Sequence, residues 1–244
     1  FLPSAAPLVA RLGLKPADVL RELKRLPEIA DLSARLGDEV SNEIAAALLP
    51  GAALSIDLAP HANLAALVDF GLTDWQRRSP LETIQIVALA PAGDRGRLER
   101  ALETAARALP KVGARATRSG SGWQVRYAAG EGPRFGIRDL GGEPVAYLVG
   151  GGIAPEQLGE ASQRAAVVEQ DAGASLLVDF GKLAAHVGAL PESSYGSGPQ
   201  AYVARSVVGQ VLEPLGPLRV TMAAVPEDEG LRAQLDFALA PGKP

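Results

Sequence analysis

The spacing of apolar residues along the chain separates helical stretches from extended ones. Over residues 1–49 apolar side chains recur at helical spacing, as at Val19, Leu20 and Leu23. Proline at position 16 fits the first turn of such a helix. This N-terminal helical segment is predicted to hold three short helices, which run from Pro16, from Pro27 to Leu36 and from Asp38 to Leu49.

From Ala52 onward, short extended runs alternate with turns rich in glycine. The clearest strand is Thr83–Leu89, and Asp94 can then cap a helix whose apolar stripe extends to Leu109. Four short strands are predicted after it, at about 113–118, 122–128, 133–139 and 144–149. Their tight, glycine-containing connections are typical of an antiparallel meander.

The pattern restarts near residue 170. Gly173–Asp179 has the same apolar shape as Gly51–Asp57, and an Ala- and Leu-rich helical stretch follows each of them. We therefore expect an α+β protein with an antiparallel sheet flanked by helices and two related halves, although two buried strands can also resemble each other by chance. The expected division is a helical segment at 1–49, an α+β half at 50–170 and a second half at 171–244.

Composition narrows the class of protein. The chain has 244 residues, of which 47% are hydrophobic and 21% are charged, as in an ordinary globular protein. The formal net charge of −4 gives no overall attraction to nucleic acid or acidic membranes. The absence of cysteine excludes disulfides, thiolate ligands and a cysteine nucleophile. The apolar stretch Ile44–Ile56 is interrupted by Pro50 and Gly51, so no transmembrane segment is expected.

A hydrolase site would need a base, a carboxylate and a hydroxyl close together. The candidate pairs are Asp57 with His61 and Asp179 with His186, and the candidate nucleophiles are Ser55 and Ser175. Ser55 and Asp57 share one face of a strand, however, and no sharp turn presents the hydroxyl as hydrolases require. We interpret both histidines as surface or helix-end residues, so the sequence assigns no catalytic residue.

Metal and phosphate sites have weaker support. Without cysteine, and with only two histidines, a metal would depend on carboxylates, and the cluster at Glu227, Asp228 and Glu229 is more simply a solvated hairpin tip. The run Gly150–Gly152 lies between a strand and Pro155, but it matches neither a dinucleotide-binding nor a P-loop pattern. We interpret it as a turn with unusual backbone angles. No metal or cofactor is expected.

Charge is unevenly distributed. Residues 94–140 hold ten Lys or Arg against five acids, a net of +5, and aromatic residues lie among them as on a platform for single-stranded nucleic acid. Side-chain alternation separates the two kinds of residue, because Trp123, Val125 and Tyr127 share one face of their strand. We expect buried rings at Trp123 and Phe135, no nucleic-acid partner, and solvated arginines on the far face, namely Arg126, Arg134 and Arg138.

The order of these elements resembles an uncharacterised family of exported bacterial proteins, known as a domain of unknown function. The residues that carry the resemblance lie within about 50–185 and are Leu54–Asp57, Ile84–Leu89, Pro91–Asp94 with the helix to Leu109, Tyr147–Gly150 and Ser175–Asp179. The resemblance implies export to the cell envelope or periplasm behind a signal or lipoprotein peptide. The chain begins Phe1-Leu2-Pro3, so we expect a processed product.

The expected function is non-enzymatic: a cell-envelope protein that binds or scaffolds an unknown protein or envelope partner. This interpretation depends on the missing combination of nucleophile, base and orienting partner at workable spacing. Two alternatives remain open at this point. One is a hydrolase that uses a histidine–carboxylate pair, and the other is a carrier of an apolar ligand.

Overall fold

The computed structural model describes residues 6–64, 81, 83–128, 130–158, 173–196, 199–225 and 230–239. The strands are β1 (Leu8–Leu12), β2 (Ala52–Leu58), β3 (Ile84–Pro91), β4 (Ala114–Ser119), β5 (Gly122–Tyr127), β6 (Gly130–Leu140), β7 (Glu143–Gly150), β8 (Ala174–Val178), β9 (Leu215–Val225) and β10 (Gly230–Leu239). The α-helices are α1 (Pro16–Leu23), α2 (Pro27–Leu36), α3 (Asp38–Ala47), α4 (Arg95–Ala108), α5 (Phe180–Ala189) and α6 (Pro199–Leu212).

Within these described residues, ten strands form one sheet in the order β10-β9-β8-β1-β2-β3-β7-β6-β5-β4. Every neighbouring pair is antiparallel. The predicted meander forms one end of the sheet, where β7, β6, β5 and β4 follow one another. The predicted α+β class, with an antiparallel sheet and helices, is confirmed.

The N-terminal segment is not helical throughout, because its first element is β1. This strand lies inside the sheet between β2 and β8, which places Ala10 opposite Leu54 on one side and Leu176 on the other. A five-residue apolar run is too short to distinguish a buried strand from part of a helix. The tertiary structure makes this run a strand, because the backbone of β1 pairs with β2 at one edge and with β8 at the other. The described part of this segment, residues 6–49, therefore contributes a strand to the sheet as well as helices that cover it.

The two faces of the sheet bury different side chains. On one face, Ala47 at the end of α3 and Leu98 of α4 pack with Trp123 and Ile137. The other face buries Val9, Val87, Tyr147 and Val149 together with Leu158, which lies beyond the end of β7. Alternate residues of a strand face opposite sides, so the neighbours Ala146 and Tyr147 enter different clusters. Both faces of the sheet are thus covered.

Helix α4 follows the sequence prediction closely. The Asp94 side chain accepts a hydrogen bond from the backbone N–H of Arg97 at 2.8 Å, which caps the helix as expected. On its apolar stripe Leu98 is 0% and Leu102 is 8% exposed. The Arg97 guanidinium also makes two hydrogen bonds to the Glu43 carboxylate, at 2.6 and 2.8 Å. These contacts join α4 to α3 above the sheet.

The two strands that look alike in sequence flank β1 in the same register. Leu54 and Leu176 lie opposite Ala10, and Ile56 and Val178 lie opposite Leu8. This is the alignment in which Gly51–Asp57 resembles Gly173–Asp179, and the two paired residues of each strand are half-buried. The next strand of the sheet is β3 beside β2 and β9 beside β8.

Candidate functional site

The predicted nucleophiles lie inside the sheet. Ser55 is 2% exposed and Ser175 is 5% exposed. Ser55 lies between Val9 and Val87 in the sheet register, with a strand on each side. A hydroxyl at such a position has no approach for a substrate. Neither serine has the exposed setting that a hydrolytic nucleophile needs.

His186 forms a close pair with a carboxylate that the sequence spacing did not select. Its Nδ1 lies 2.6 Å from Oδ1 of Asp57, 129 residues earlier in the chain. Both side chains are partly buried, with 33% of the histidine and 17% of the aspartate exposed. A carboxylate accepts the imidazole N–H, so Nδ1 donates and Nε2 is left to act as an acceptor. Asp57 Oδ1 also accepts from the backbone N–H of Leu58 at 2.7 Å.

Neither candidate pair that the sequence raised, Asp57–His61 or Asp179–His186, is formed. Asp179 caps α5, where its carboxylate accepts from the backbone N–H of Lys182 at 2.9 Å. His61 is an exposed turn residue just after β2. Helix α5 packs against β9 and contacts β2, which brings His186 to Asp57 rather than to Asp179.

The pair supplies two of the parts that hydrolysis would use. A carboxylate that holds the Nδ1–H side of an imidazole orients the ring and leaves Nε2 available for proton transfer. Within the part of the chain that the structure describes, no hydroxyl is hydrogen-bonded to His186. The geometry therefore supports one of two roles for the pair: acid–base chemistry, or a structural link between β2 and α5. Among the described residues, no nucleophile is hydrogen-bonded to the histidine.

The glycine run after β7 is a turn that requires glycine, as predicted. Gly151 and Gly152 have φ angles of 73° and 85°, which side chains with a Cβ rarely adopt. A Cβ at Gly150 would lie 2.7 Å from the Leu81 side chain, and one at Gly151 would lie 2.2 Å from the carbonyl oxygen of Ile84. The turn brings backbone close to β3 and leaves a cavity beside it.

That cavity has a volume of about 360 Å³. It lies between the turn, the start of β6 and the end of β7. Its side-chain lining combines apolar and polar groups, which are Leu81, Gln124, Glu131, Arg134, Val149 and Ile153. Backbone of Gly150–Gly152 completes the wall. Sequence reasoning weighed the glycines but did not connect them with Gln124 and Arg134.

The buried Gln124 and the half-buried Arg134 form a polar pair beside this cavity. Gln124 is 7% exposed. Its side-chain nitrogen donates to the carbonyl oxygens of Val125 and Gly132, at 2.8 and 2.9 Å. Its oxygen accepts from Nε of Arg134 at 2.5 Å. These three contacts hold the amide in place, and the amide in turn anchors the guanidinium through its Nε.

The expectation that the three arginines are solvated holds for Arg126 only. Arg134 and Arg138 are half-buried, and Arg138 donates to the carbonyl oxygen of Pro155 at 3.2 Å. The physical reason is that residues 151–158 cover this face of the meander. Strand alternation predicts correctly which face a side chain occupies, but it does not show whether a loop lies over that face.

The aromatic residues of the meander are arranged much as predicted. Trp123 is 8% exposed, and its ring stacks on the half-buried Phe135 with centroids 5.3 Å apart and planes inclined by 17°. The predicted burial of Trp123 is confirmed, whereas Phe135, which was also predicted to be buried, is only half-buried. Arg118 lies over the indole, with its guanidinium carbon 4.3 Å from the ring centroid. A cation–π contact therefore covers the outer face of the ring.

The described residues hold no group of three or more histidine, aspartate or glutamate side chains placed to bind a metal. The acidic residues Glu227, Asp228 and Glu229 lie outside the described residues. Among the helices that the structure describes, none has the length and apolar character needed to cross a membrane.

Comparison with known proteins adds no relative. A scan against models of protein families, a search of curated proteins and a search of solved structures each found no match.

Proposed function

We propose that this protein acts by binding, as a non-enzymatic protein of the cell envelope. The observation that supports binding is the cavity beside Gly150–Gly152, because its wall contains a polar side chain fixed by three contacts. Its volume of about 360 Å³ lies within the range of small-molecule sites. Polar groups that are held in place at low exposure favour recognition, since a ligand need not order them.

A ligand screen against the whole chain tests the proposal. Small-molecule binding is followed by NMR chemical shifts, and each hit is repeated with Ala154→Trp, which fills the cavity at a lining position. The control is Ala46→Trp at an exposed position of α3. We expect hits that the first variant loses and the second retains. Binding that is unaffected by Ala154→Trp, or no binding at all, contradicts the proposal.

The envelope location is a separate part of the proposal, supported by the resemblance to exported bacterial proteins. It is tested by expressing the gene with its native upstream sequence in a bacterium and fractionating the cells. The expected result is recovery with the periplasm or membranes. Recovery with the cytoplasm contradicts it. An envelope protein partner would then be sought by crosslinking in those fractions.

A hydrolase is the second candidate, and the 2.6 Å contact between His186 and Asp57 favours it. A panel of chromogenic esters tests it with three variants: His186→Gln, Asp57→Asn and, as a control, His61→Gln at the exposed histidine. The candidate requires turnover that the first two variants lose and the control keeps. Equal rates in all four proteins exclude it.

Two other partner classes have less support. A carrier of an apolar ligand would need an apolar cavity, whereas the described cavity has Gln124, Glu131 and Arg134 in its wall. A nucleic-acid platform would need exposed rings, whereas Trp123 is buried between Phe135 and Arg118. We therefore expect no salt-dependent shift when the protein is titrated with single-stranded DNA or RNA. A shift that weakens with added salt contradicts this expectation.

We also propose that the two halves are related by duplication. The support is the shared register of Leu54 and Leu176 opposite Ala10. A chimera in which the sequence of Gly173–Asp179 replaces Gly51–Asp57 tests whether the two strands are equivalent. It is expected to fold with cooperative unfolding and only a moderate loss of stability. A scrambled segment of the same composition serves as the control, and equal failure of both proteins contradicts the proposal.

A further inference from the structure

The Arg134 side chain carries a positive charge into the cavity beside Gly150–Gly152. Its Nε is already used by the buried amide of Gln124. Two terminal nitrogens remain, with four N–H donors between them. Among the described residues, no carboxylate lies within 4.0 Å of this guanidinium. A half-buried cation that no described carboxylate neutralises favours the binding of an anion.

The other charges near the cavity do not cancel Arg134. Glu131 also lines the cavity, but its side chain is 68% exposed and lies 3.9 Å from Arg126, at the rim. Arg138 occupies the same face of β6 and is tied to the carbonyl oxygen of Pro155. The half-buried charges on this face of β6, those of Arg134 and Arg138, are therefore positive. The negative charge of Glu131 is exposed to water.

The apolar residues of the cavity wall favour a ligand whose body is apolar. Val149 is 0% exposed, and Ile153 packs against the same hydrophobic cluster. Leu81 lies against the Gly150 end of the turn. Val149 therefore closes the back of the wall, while the half-buried Leu81 and Ile153 keep apolar surface. An inorganic anion would leave that surface in contact with water, whereas an aliphatic chain would cover it. The guanidinium fork matches a carboxylate in two parallel hydrogen bonds.

From these observations we infer that the cavity binds a small organic carboxylate, with its carboxylate on Arg134 and its aliphatic chain against Leu81 and Ile153. This inference rests on the proposed binding function, because it names the ligand class for the same cavity. The volume of about 360 Å³ suits a short-chain acid better than a long fatty acid.

Calorimetric titration of the whole chain tests the inference with three probes: hexanoate, its neutral analogue hexanamide, and inorganic phosphate. We expect hexanoate to bind more tightly than either of the others. Arg134→Gln is expected to weaken hexanoate binding by about tenfold or more, which corresponds to ~1.4 kcal/mol. The control Arg126→Gln removes an exposed arginine of the neighbouring strand, and its affinity is expected to be unchanged.

A second variant separates positioning from charge and guards against misfolding. Gln124→Leu keeps Arg134 but removes its tether, so hexanoate binding is expected to weaken while a thermal melt still shows cooperative unfolding. Arg134→Lys keeps the charge without the planar fork and is expected to recover only part of the affinity.

The outcomes distinguish this inference from the proposed function. If hexanoate and hexanamide bind equally well, or if phosphate binds as tightly as hexanoate, the inferred ligand class is wrong. The proposed binding function still stands in that case. Hexanoate affinity that Arg134→Gln does not change in a folded protein also overturns it. If the probes and the wider screen find no ligand that Ala154→Trp displaces, the inference and the proposed function fail together.

Discussion

At the scale of single residues, the packing of Tyr147 depends on two glycines. Gly122 and Gly136 lie directly opposite each other on neighbouring strands, and Gly136 lies opposite Tyr147 on the next one. A Cβ at Gly122 or Gly136 would be 2.4 or 2.8 Å from the tyrosine Oη. The absence of side chains at these two positions is what allows the tyrosine to lie across the sheet.

Gly136→Ala is expected to destabilise the protein by about 1–3 kcal/mol, the usual cost of forcing extra volume into a packed site. The matched control is Gly188→Ala in α5, where no atom lies within 4 Å of the added Cβ. That change is expected to be neutral or stabilising, because alanine favours a helix more than glycine does. Denaturant unfolding measures both free energies, and equal values for the two variants contradict this account.

Tyr147 also gives the stability a pH dependence at alkaline pH. Burial raises the pKa of Tyr147 above its ordinary value of 10.0, against the lowering effects of the Ser121 hydrogen bond and of Arg138 and Arg134. A pKa that is higher in the folded state stabilises the fold fully below pH 10, and the contribution is lost as pH rises through the folded value.

We therefore expect the free energy of unfolding to fall above about pH 10, and to fall less steeply in Tyr147→Phe. The control is Tyr202→Phe, since Tyr202 is 77% exposed. A pH titration of the folded protein, followed by tyrosinate absorbance, should lose one phenol that ionises above the ordinary pKa in Tyr147→Phe. Tyr202→Phe should keep that phenol. Identical pH profiles in the wild type and Tyr147→Phe would show that this phenol does not contribute.

At the scale of elements, α4 depends on a local cap. Asp94 bonds to the backbone N–H of Arg97, and the apolar stripe of the helix then packs on Trp123 and Ile137. The cap sets where the helix begins, while the stripe sets how it packs on the sheet. The two features can be tested separately, because the Asp94 side chain is exposed and the stripe is buried.

Asp94→Ala is expected to lower the free energy of unfolding by about 1 kcal/mol, since an N–H at the helix end loses its acceptor. Asp94→Asn keeps an acceptor oxygen and should cost less than the alanine variant. Thermal and denaturant melts give both values. A loss in Asp94→Asn as large as in Asp94→Ala would assign the effect to charge rather than to the cap.

Trp123 belongs to the hydrophobic cluster that joins the meander to α4. Trp123→Ala removes a buried indole and is expected to cost about 3–5 kcal/mol. Arg118→Ala removes only the cation over the ring and should cost about 0.5–1 kcal/mol. Tryptophan fluorescence and denaturant melts measure the two changes. A larger loss in Arg118→Ala than in Trp123→Ala would mean that the cation, rather than the ring, carries the contact.

At the scale of the whole molecule, β1 joins the two sides of the sheet. It contributes backbone to β2 on one side and to β8 on the other. The Asp57–His186 contact makes a second connection, between β2 and the helix after β8. The sheet is therefore continuous from the meander to β10 only through a five-residue strand near the start of the described chain.

Ala10→Pro is expected to abolish cooperative folding, because proline removes a backbone donor from a strand that has partners on both sides. Ala10→Val changes the same position but keeps the N–H, so its unfolding should remain cooperative. Far-UV circular dichroism and thermal melts distinguish the two. A cooperative melt for Ala10→Pro near the wild-type temperature would show that β1 is not required.

The sequence by itself determined the features that depend on local chemistry. The cap at Asp94 marks the start of α4, and glycines in tight turns mark the limits of the meander strands, since only residues close in sequence take part. The need for glycine after β7 was likewise visible in the run Gly150–Gly152. Alternation along β5 correctly assigned Trp123 to a buried face.

Only the tertiary structure decided which distant residues meet. The partner of His186 is Asp57 rather than Asp179, because α5 packs across to β2 while Asp179 is used in the cap of that helix. Arg134 lies beside a cavity rather than in water because the turn after β7 covers its face. Such contacts depend on how whole elements stack, and the spacing of residues along one strand carries no information about that.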